Sequence, residues 1–221
     1  MCGPDDGEKS KVLVFNYGAP AQYGRHDADA LTVKEAELSI MRRIGISEES
    51  LLITQGNLAS TYFALGREEE ALSMLRDAYL GRLKLYGLEH GKTLLTAYNY
   101  ANSLGDGQRF EEAKSLLRKS IPVARRVLGK VHEITLRMEA NYAAALVNAG
   151  GATLDDLREA VTTLEDTERI ARRVLGGAHP DTTRIENALR SARAELRDAQ
   201  NSEAFRNWKA MHARDTPPKD A

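Results

Sequence analysis

The chain has 221 residues, 42% hydrophobic and 29% charged, a composition typical of a globular protein with a buried core. Lysine plus arginine (31) nearly balance aspartate plus glutamate (32), so net charge draws the molecule to neither nucleic acid nor an anionic membrane. The single cysteine, Cys2, excludes an internal disulfide, and no apolar stretch reaches the roughly 20 residues of a membrane-spanning helix. With a start too acidic and polar for a secretory signal, these features predict a cytoplasmic protein without membrane insertion.

The N-terminal part has no clear partner in the rest of the sequence. Residues 1–26, which contain the apolar stretch KVLVFNYG, are predicted to be a makeshift cap or partly disordered. Residues 27–46 resemble only the second half of the unit that follows, because IMRRIG at 40–45 ends as later units end. This half unit suggests either an unusual cap or a fragment of a longer protein.

A repeat begins at this point, marked by glycines that close helices. ARRVLG occurs at 124–129 and again at 171–176, and related segments end at earlier glycines. The closing glycines are Gly45, Gly87, Gly129 and Gly176, spaced by 42, 42 and 47 residues. Three asparagines keep the 42-residue period, namely Asn57, Asn99 and Asn141. A fixed period of this length predicts a stack of supersecondary units that bury their apolar faces against one another.

Each unit contains two stretches with helical apolar spacing, and alternation typical of strands is absent. The sequence therefore predicts helix-turn-helix repeats at 47–89, 90–131 and 132–178, within an array that spans 27–200. A capping helix is predicted from residue 180, where HPDTT provides a helix start. Residues 201–221 are predicted to be the end of this helix and a disordered tail.

Two irregularities interrupt the period. One five-residue insertion between Asn141 and Ala160, in NAGGATLDD, accounts for the longer last spacing. We expect it to lengthen only the turn between the two helices of the third repeat, with Thr153 and Asp156 forming a capping box for the second helix. Pro122 lies inside a second helix and is expected to kink it, at a cost of about 3 kcal/mol.

The repeat carries recognisable motifs: NLA or NYA in the first helix, GREEEA and GQRFEEA at the turn, and VLGxxH leading to HPDT. It resembles the tetratricopeptide repeat of kinesin light chains over roughly residues 47–199. The resemblance implies an all-α, right-handed α-solenoid whose first helices line a concave groove. It concerns the repeat array alone, because the sequence contains no heptad coiled coil of the kind that joins those light chains to the motor heavy chain.

Three histidines follow the last three closing glycines and resemble a metal-binding set: His90, His132 and His179. Equivalent residues of adjacent repeats lie about 10 Å apart, too far for one ion with metal–nitrogen distances of about 2.1 Å. We therefore expect them to pack between repeats.

GLEHGKT at 87–93 is one residue short of a phosphate-binding loop and follows a helix. With no recognisable nucleophile constellation, the sequence predicts no enzyme, no cofactor and no small-molecule substrate.

Arginine pairs recur near the helix ends at 42–43, 125–126 and 172–173. They are expected to complement the helix dipoles. A basic stripe for nucleic acid is the alternative, but the interleaved glutamates and aspartates argue against it.

The resemblance places the groove at six positions around each asparagine, including Gly56, Gly105 and Asp106. The candidate peptide-binding residues are Asn57, Ser60, Phe63, Leu95, Tyr98, Asn99, Asn102, Arg137, Asn141 and Asn148. Only Arg137 among them is basic, which argues against the carboxylate clamp of co-chaperone relatives.

The predicted function is a non-enzymatic scaffold or adaptor that binds an extended peptide or a partner protein in this groove. Asn57, Asn99 and Asn141 are expected to form a ladder to the peptide backbone, because a carboxamide both donates and accepts hydrogen bonds. The first-helix asparagine of kinesin light chains is used in this way; the alternative is that each asparagine ties adjacent helices together. The other function considered is a structural or regulatory segment of a larger, even enzymatic, assembly that docks through its terminal helices. The sequence identifies neither the partner nor the oligomeric state.

Overall fold

The computed structural model describes residues 25–212, and within that range it contains eight α-helices and no strand. The helices are α1 (Arg25–Arg43), α2 (Glu48–Ala64), α3 (Glu68–Tyr86), α4 (Gly91–Asp106), α5 (Phe110–Val127), α6 (Glu133–Asn148), α7 (Leu154–Val174) and α8 (Pro180–His212). Each helix packs on its neighbours in chain order, which is the arrangement of a helical solenoid. The predicted all-α repeat fold is confirmed.

Three helix pairs, α2 with α3, α4 with α5 and α6 with α7, form the full repeats. At the ends, α1 packs on α2 alone, and α8 packs on both α6 and α7. The final helix extends past residue 200 to His212. The predicted tail beyond it and the predicted N-terminal segment up to residue 24 lie outside the described residues.

The core is built from small and branched residues that recur at the same places in each repeat. They are Leu58, Ala59, Tyr62, Ala71, Leu75 and Ala78, then Tyr100, Ala101, Leu104, Ala113, Leu117 and Ser120, then Tyr142, Ala143, Leu146, Ala160, Leu164 and Thr167. All are buried except Tyr100, which is half-buried. Alanines at the helix crossings let the two helices of a repeat approach closely. One apolar cluster extends from α4 to α8 and leaves α6 buried on nearly every side.

The helix ends follow from the glycines and histidines of the sequence. All four closing glycines adopt positive φ, from +71° at Gly45 to +97° at Gly129, a conformation that residues with a side chain rarely adopt. His90, His132 and His179 each begin the following helix. In each of the three, Nδ1 accepts a hydrogen bond from the backbone N–H two residues later, at 3.1–3.2 Å. These histidines therefore satisfy free N–H groups at helix starts.

Three arginines near the ends of second helices join each repeat to the next. Arg82 donates to Oγ1 of Thr96 (2.6 Å), and Arg125 donates to Oε1 of Glu139 (2.6 Å). Arg172 makes the corresponding contact with Glu186, again 14 residues ahead. These arginines thus contact the first helix of the next unit, a role that the sequence analysis missed.

The insertion in the third repeat differs from its prediction. The loop between α6 and α7 spans residues 149–153, against three residues at 65–67 and 107–109, while α7 has 21 residues against 18 in α5. Two of the five extra residues thus enter the loop and three extend α7, so the prediction that only the turn lengthens is wrong. The cause is the capping box of Thr153 and Asp156, which is confirmed and starts the helix early. In α5 the helix continues through the exposed Pro122.

Candidate functional site

The first helices α2, α4 and α6, which are predicted to line the inner surface of the array, are not evenly spaced. Helix α4 packs directly on α6, whereas no Cα atom of α2 lies within 8 Å of one in α4. Between α2 and α4 this leaves a groove of about 290 Å³. Its lining residues are Gly56, Ser60, Leu75, Tyr98, Asn99, Asn102, Ser103 and Arg137.

Five of the ten candidate residues lie together in this groove, namely Ser60, Tyr98, Asn99, Asn102 and Arg137. The predicted groove position Gly56 lies there too. Sequence reasoning missed Leu75 and Ser103. Leu75 comes from a second helix, and Ser103 lies beside the predicted face of α4.

The other five candidates do not line this groove: Asn57, Leu95, Phe63, Asn148 and Asn141. Asn57 is exposed on α2 next to the groove, and Leu95 is 39% exposed on α4. Phe63 is half-buried and packs into the apolar core around α2 and α3. Asn148 donates to the backbone oxygen of Ala144 in its own helix at 2.9 Å.

The three asparagines of the predicted ladder are therefore not equivalent. Asn57 and Asn99 are exposed, but Asn141 is only 6% exposed because α6 is covered by its neighbours. The Nδ2 group of Asn141 donates to Oδ1 of Asn102 at 3.1 Å, which joins α6 to α4. For Asn141, this contact corresponds to the alternative prediction, in which each asparagine ties adjacent helices together.

The groove is close to neutral although it contains an arginine. Arg137 forms ion pairs with Glu133 in its own helix and with Asp181 at the start of α8, where Nε and Oδ2 are 2.9 Å apart. Asp181 is only 3% exposed. Because two carboxylates share the guanidinium, Arg137 is held in place and adds little net charge to the surface.

One carboxylate near the groove has an unusual environment. Asp106, the last residue of α4, accepts a hydrogen bond from Nδ2 of Asn102 at 3.0 Å. Burial and, to a lesser extent, the negative charge of Glu68 raise the pKa of Asp106 from 3.8 to about 6. Asn102 therefore links a buried amide on one side to a destabilised carboxylate on the other.

The described part of the chain shows neither a metal-binding group nor a membrane-crossing helix. Among the side chains that the structure describes within residues 31–206, no three of His, Cys, Asp or Glu converge as metal ligands would. No helix there is both long and apolar enough to cross a bilayer.

Known proteins resemble the chain in its repeats. Residues 50–126 match the tetratricopeptide repeat family. No curated protein sequence matches significantly. Among solved structures, the nearly identical TPR-like repeats of a candidate kinesin light chain from Podosopora anserina are similar. A single-substitution variant of those repeats has a TM-score of 0.66 at 23% identity, with coverage of 85% of this chain and 87% of that chain.

A second structure of those repeats gives a TM-score of 0.64 at 22% identity, over 87% of this chain and 90% of that one. BtubC (BKLC) from P. vanneervenii gives 0.66 at 16% identity, over 89% and 79%. Folds of this kind generally act as protein-interaction scaffolds and are typically non-enzymatic. The chain thus contains tetratricopeptide repeats over residues 50–126, and its described part has the fold of the kinesin light chain-like repeat structures.

Proposed function

We propose that this chain is a non-enzymatic scaffold or adaptor that binds an extended peptide segment of a partner protein in the groove between α2 and α4. The observation that carries the proposal is the groove of about 290 Å³, lined mainly by first-helix residues. Its neutral, amide- and hydroxyl-bearing surface suits a peptide backbone, whose groups both donate and accept hydrogen bonds. The lone cysteine and the charged composition support a cytoplasmic location.

Asn99 is the residue that we assign to the peptide backbone. Asn99 is exposed on α4 at the groove, and the preceding residue, Tyr98, is buried and also lines the groove. Asn57 is exposed on α2, on the opposite side of the groove, and is the second residue that we assign to the peptide backbone. Asn141 is already hydrogen-bonded to Asn102, so we assign it a supporting role in this interaction.

Selection of phage-displayed random linear peptides on the immobilised protein tests this proposal. Enriched peptides are expected to bind through the groove, and Asn99→Ala should weaken them by about 1–3 kcal/mol, or roughly 5- to 150-fold, since it strands a peptide group. The melting temperature should change little, because Asn99 is exposed.

Gly56→Leu provides a variant that fills the groove without endangering the fold. A Cβ added at Gly56 meets no atom within 4 Å, and leucine raises helix propensity by about 0.8 kcal/mol over glycine. Peptide binding should be lost while stability is kept or gained. The matched control is Ser73→Leu on the exposed side of α3. If Gly56→Leu and Ser73→Leu bind the selected peptides equally well, or if no peptide is enriched, the groove assignment fails.

A further inference from the structure

A narrow slot lies next to the groove, between α4 and α6, and shares Asn102 with it. The slot has a volume of about 20 Å³. Its walls are apolar, formed by alanines of α4, α5 and α6 with Gly105 and Phe110, and its polar residues are Asn102, Asp106 and Asn141. Its lining is therefore mostly apolar, with three polar side chains.

The slot offers two kinds of acceptor, the carboxylate of Asp106 and a carboxamide oxygen of Asn141. The Nδ2 groups of Asn141 and Asn102 each donate one of their two hydrogens, to Asn102 and Asp106 respectively. Oδ1 of Asn141 is buried and has no hydrogen-bond partner, in a residue that is only 6% exposed. Backbone N–H groups inside α4 and α6 bond within their own helices. A buried acceptor without a donor is rare and points to a ligand that brings one.

The size and the chemistry of the slot determine which hydrogen-bond donor group can occupy it. A volume of this size holds about one water-sized group, which admits a primary ammonium but not a guanidinium. A neutral water would leave the Asp106 carboxylate of the slot without a counter-charge. An ammonium has three N–H donors and no acceptor, and its alkyl stem suits the apolar walls. We propose that the slot binds the ammonium group of a lysine side chain carried by the peptide in the groove.

The charges around the slot favour the same occupant. Asp106 supplies a carboxylate, and Glu68 of α3 is the charged group that raises its pKa through space, after burial as the main cause. Helices α5 and α6 contribute only uncharged residues to the slot. A bound cation would compensate for both the burial and the repulsion, so lysine binding should weaken as pH falls through about 6.

This inference rests on the proposed function only in that a peptide carries the lysine, so the slot is tested with a small probe. Nα-acetyl-lysine N-methylamide is titrated into the ¹⁵N-labelled protein, and the side-chain amide resonances of Asn102 and Asn141 are followed by NMR. Saturable shifts are expected with this probe. The norleucine analogue, which lacks the ammonium, and the arginine analogue, which is too large, should produce none.

Two variants and one control complete the experiment. Asp106→Asn should raise the dissociation constant of the lysine probe at least about tenfold, the effect of losing a charge-assisted contact. Gly105→Leu should weaken the shifts, because Gly105 lines the slot and a larger side chain, whose Cβ meets no atom within 4 Å, would cover it. The control Asp77→Asn, an exposed aspartate of α3, should bind like the wild type.

The inference is overturned if the norleucine analogue shifts the same amides equally, or if the lysine probe shifts none of them. Asp106→Asn with unchanged probe affinity would overturn it as well. If phage-selected peptides bind the groove but tolerate norleucine in place of every lysine, the slot assignment fails while the proposed function stands. If no peptide binds the groove but the lysine probe saturates the slot, the proposed function fails and the slot assignment stands.

Discussion

Asp106→Asn should stabilise the unliganded protein at neutral pH, although it removes a charged hydrogen-bond acceptor. The carboxylate is half-buried, lies near Glu68 and ends α4, where the helix dipole disfavours negative charge. Asparagine has almost the same shape, and its side-chain oxygen can still accept the hydrogen bond from Asn102. The substitution therefore removes the charge and keeps the contact.

The magnitude and its pH window follow from the pKa of Asp106, which rises from 3.8 to about 6 on folding. Below pH 3.8 the carboxyl is protonated in both states, and no penalty exists. Between these values the folded protein binds more protons than the unfolded chain, so stability falls as pH rises, and above about 6 the penalty is complete. For a fully buried group it would be about 3 kcal/mol. Solvent screening at this partly exposed site reduces the expected gain to about 1–2 kcal/mol.

Urea unfolding followed by far-UV circular dichroism at several pH values measures this gain. The two proteins should have equal unfolding free energies near pH 4 and diverge towards pH 7, with the asparagine variant more stable. Glu68→Gln should recover a smaller part of the gain, and Asp77→Asn, an exposed control in α3, should recover none. Parallel pH profiles for wild type and Asp106→Asn, or a less stable variant at pH 7, would refute the argument that this carboxylate is desolvated.

Three further predictions concern stability, each measured as the unfolding free energy in urea. Thr153→Ala should cost about 1 kcal/mol through loss of the capping box; no loss would show that α7 begins without it. Arg125→Ala should cost about 2 kcal/mol because it leaves the buried Glu139 carboxylate without its cation, and adding Glu139→Leu should restore most of the loss. Gly56→Ala should stabilise by about 1 kcal/mol, whereas Gly81→Ala should not, since its Cβ would lie 2.6 Å from a buried leucine of α2. Equal effects at the two glycines would refute that close approach.

The fold was predictable because its determinants are local and recur. A helix end that needs positive φ favours glycine, as at Gly129, and a close helix crossing favours alanine, as at Ala113. The residue type at these positions therefore indicates the structural role. The capping box of Thr153 was predictable for the same reason. Its consequence for α7 was not, since five extra residues can enter either a loop or a helix, and the period does not distinguish the two.

The site was less predictable, because periodicity describes each repeat but not the spacing between repeats. Asn57, Asn99 and Asn141 occupy the same repeat position, yet only the first two are exposed. Asn141 is buried because α6 contacts α4, α5, α7 and α8, whereas α2 and α4 stand apart. A sequence pattern cannot report that difference, which depends on how whole helices stack.

In the proposed complex, the uneven spacing lets one peptide engage both the groove and the slot. Where α2 and α4 separate, the inner surface is open enough for a peptide backbone to reach Asn99. Where α4 and α6 close together, only a group the size of one water enters, and the amide of Asn102 stands at the boundary between the two. A backbone bound along the open part therefore lies beside the slot, which a single lysine can reach with its terminal ammonium group. Specificity would then come from the packed side of α4, and general affinity for extended peptide from its open side.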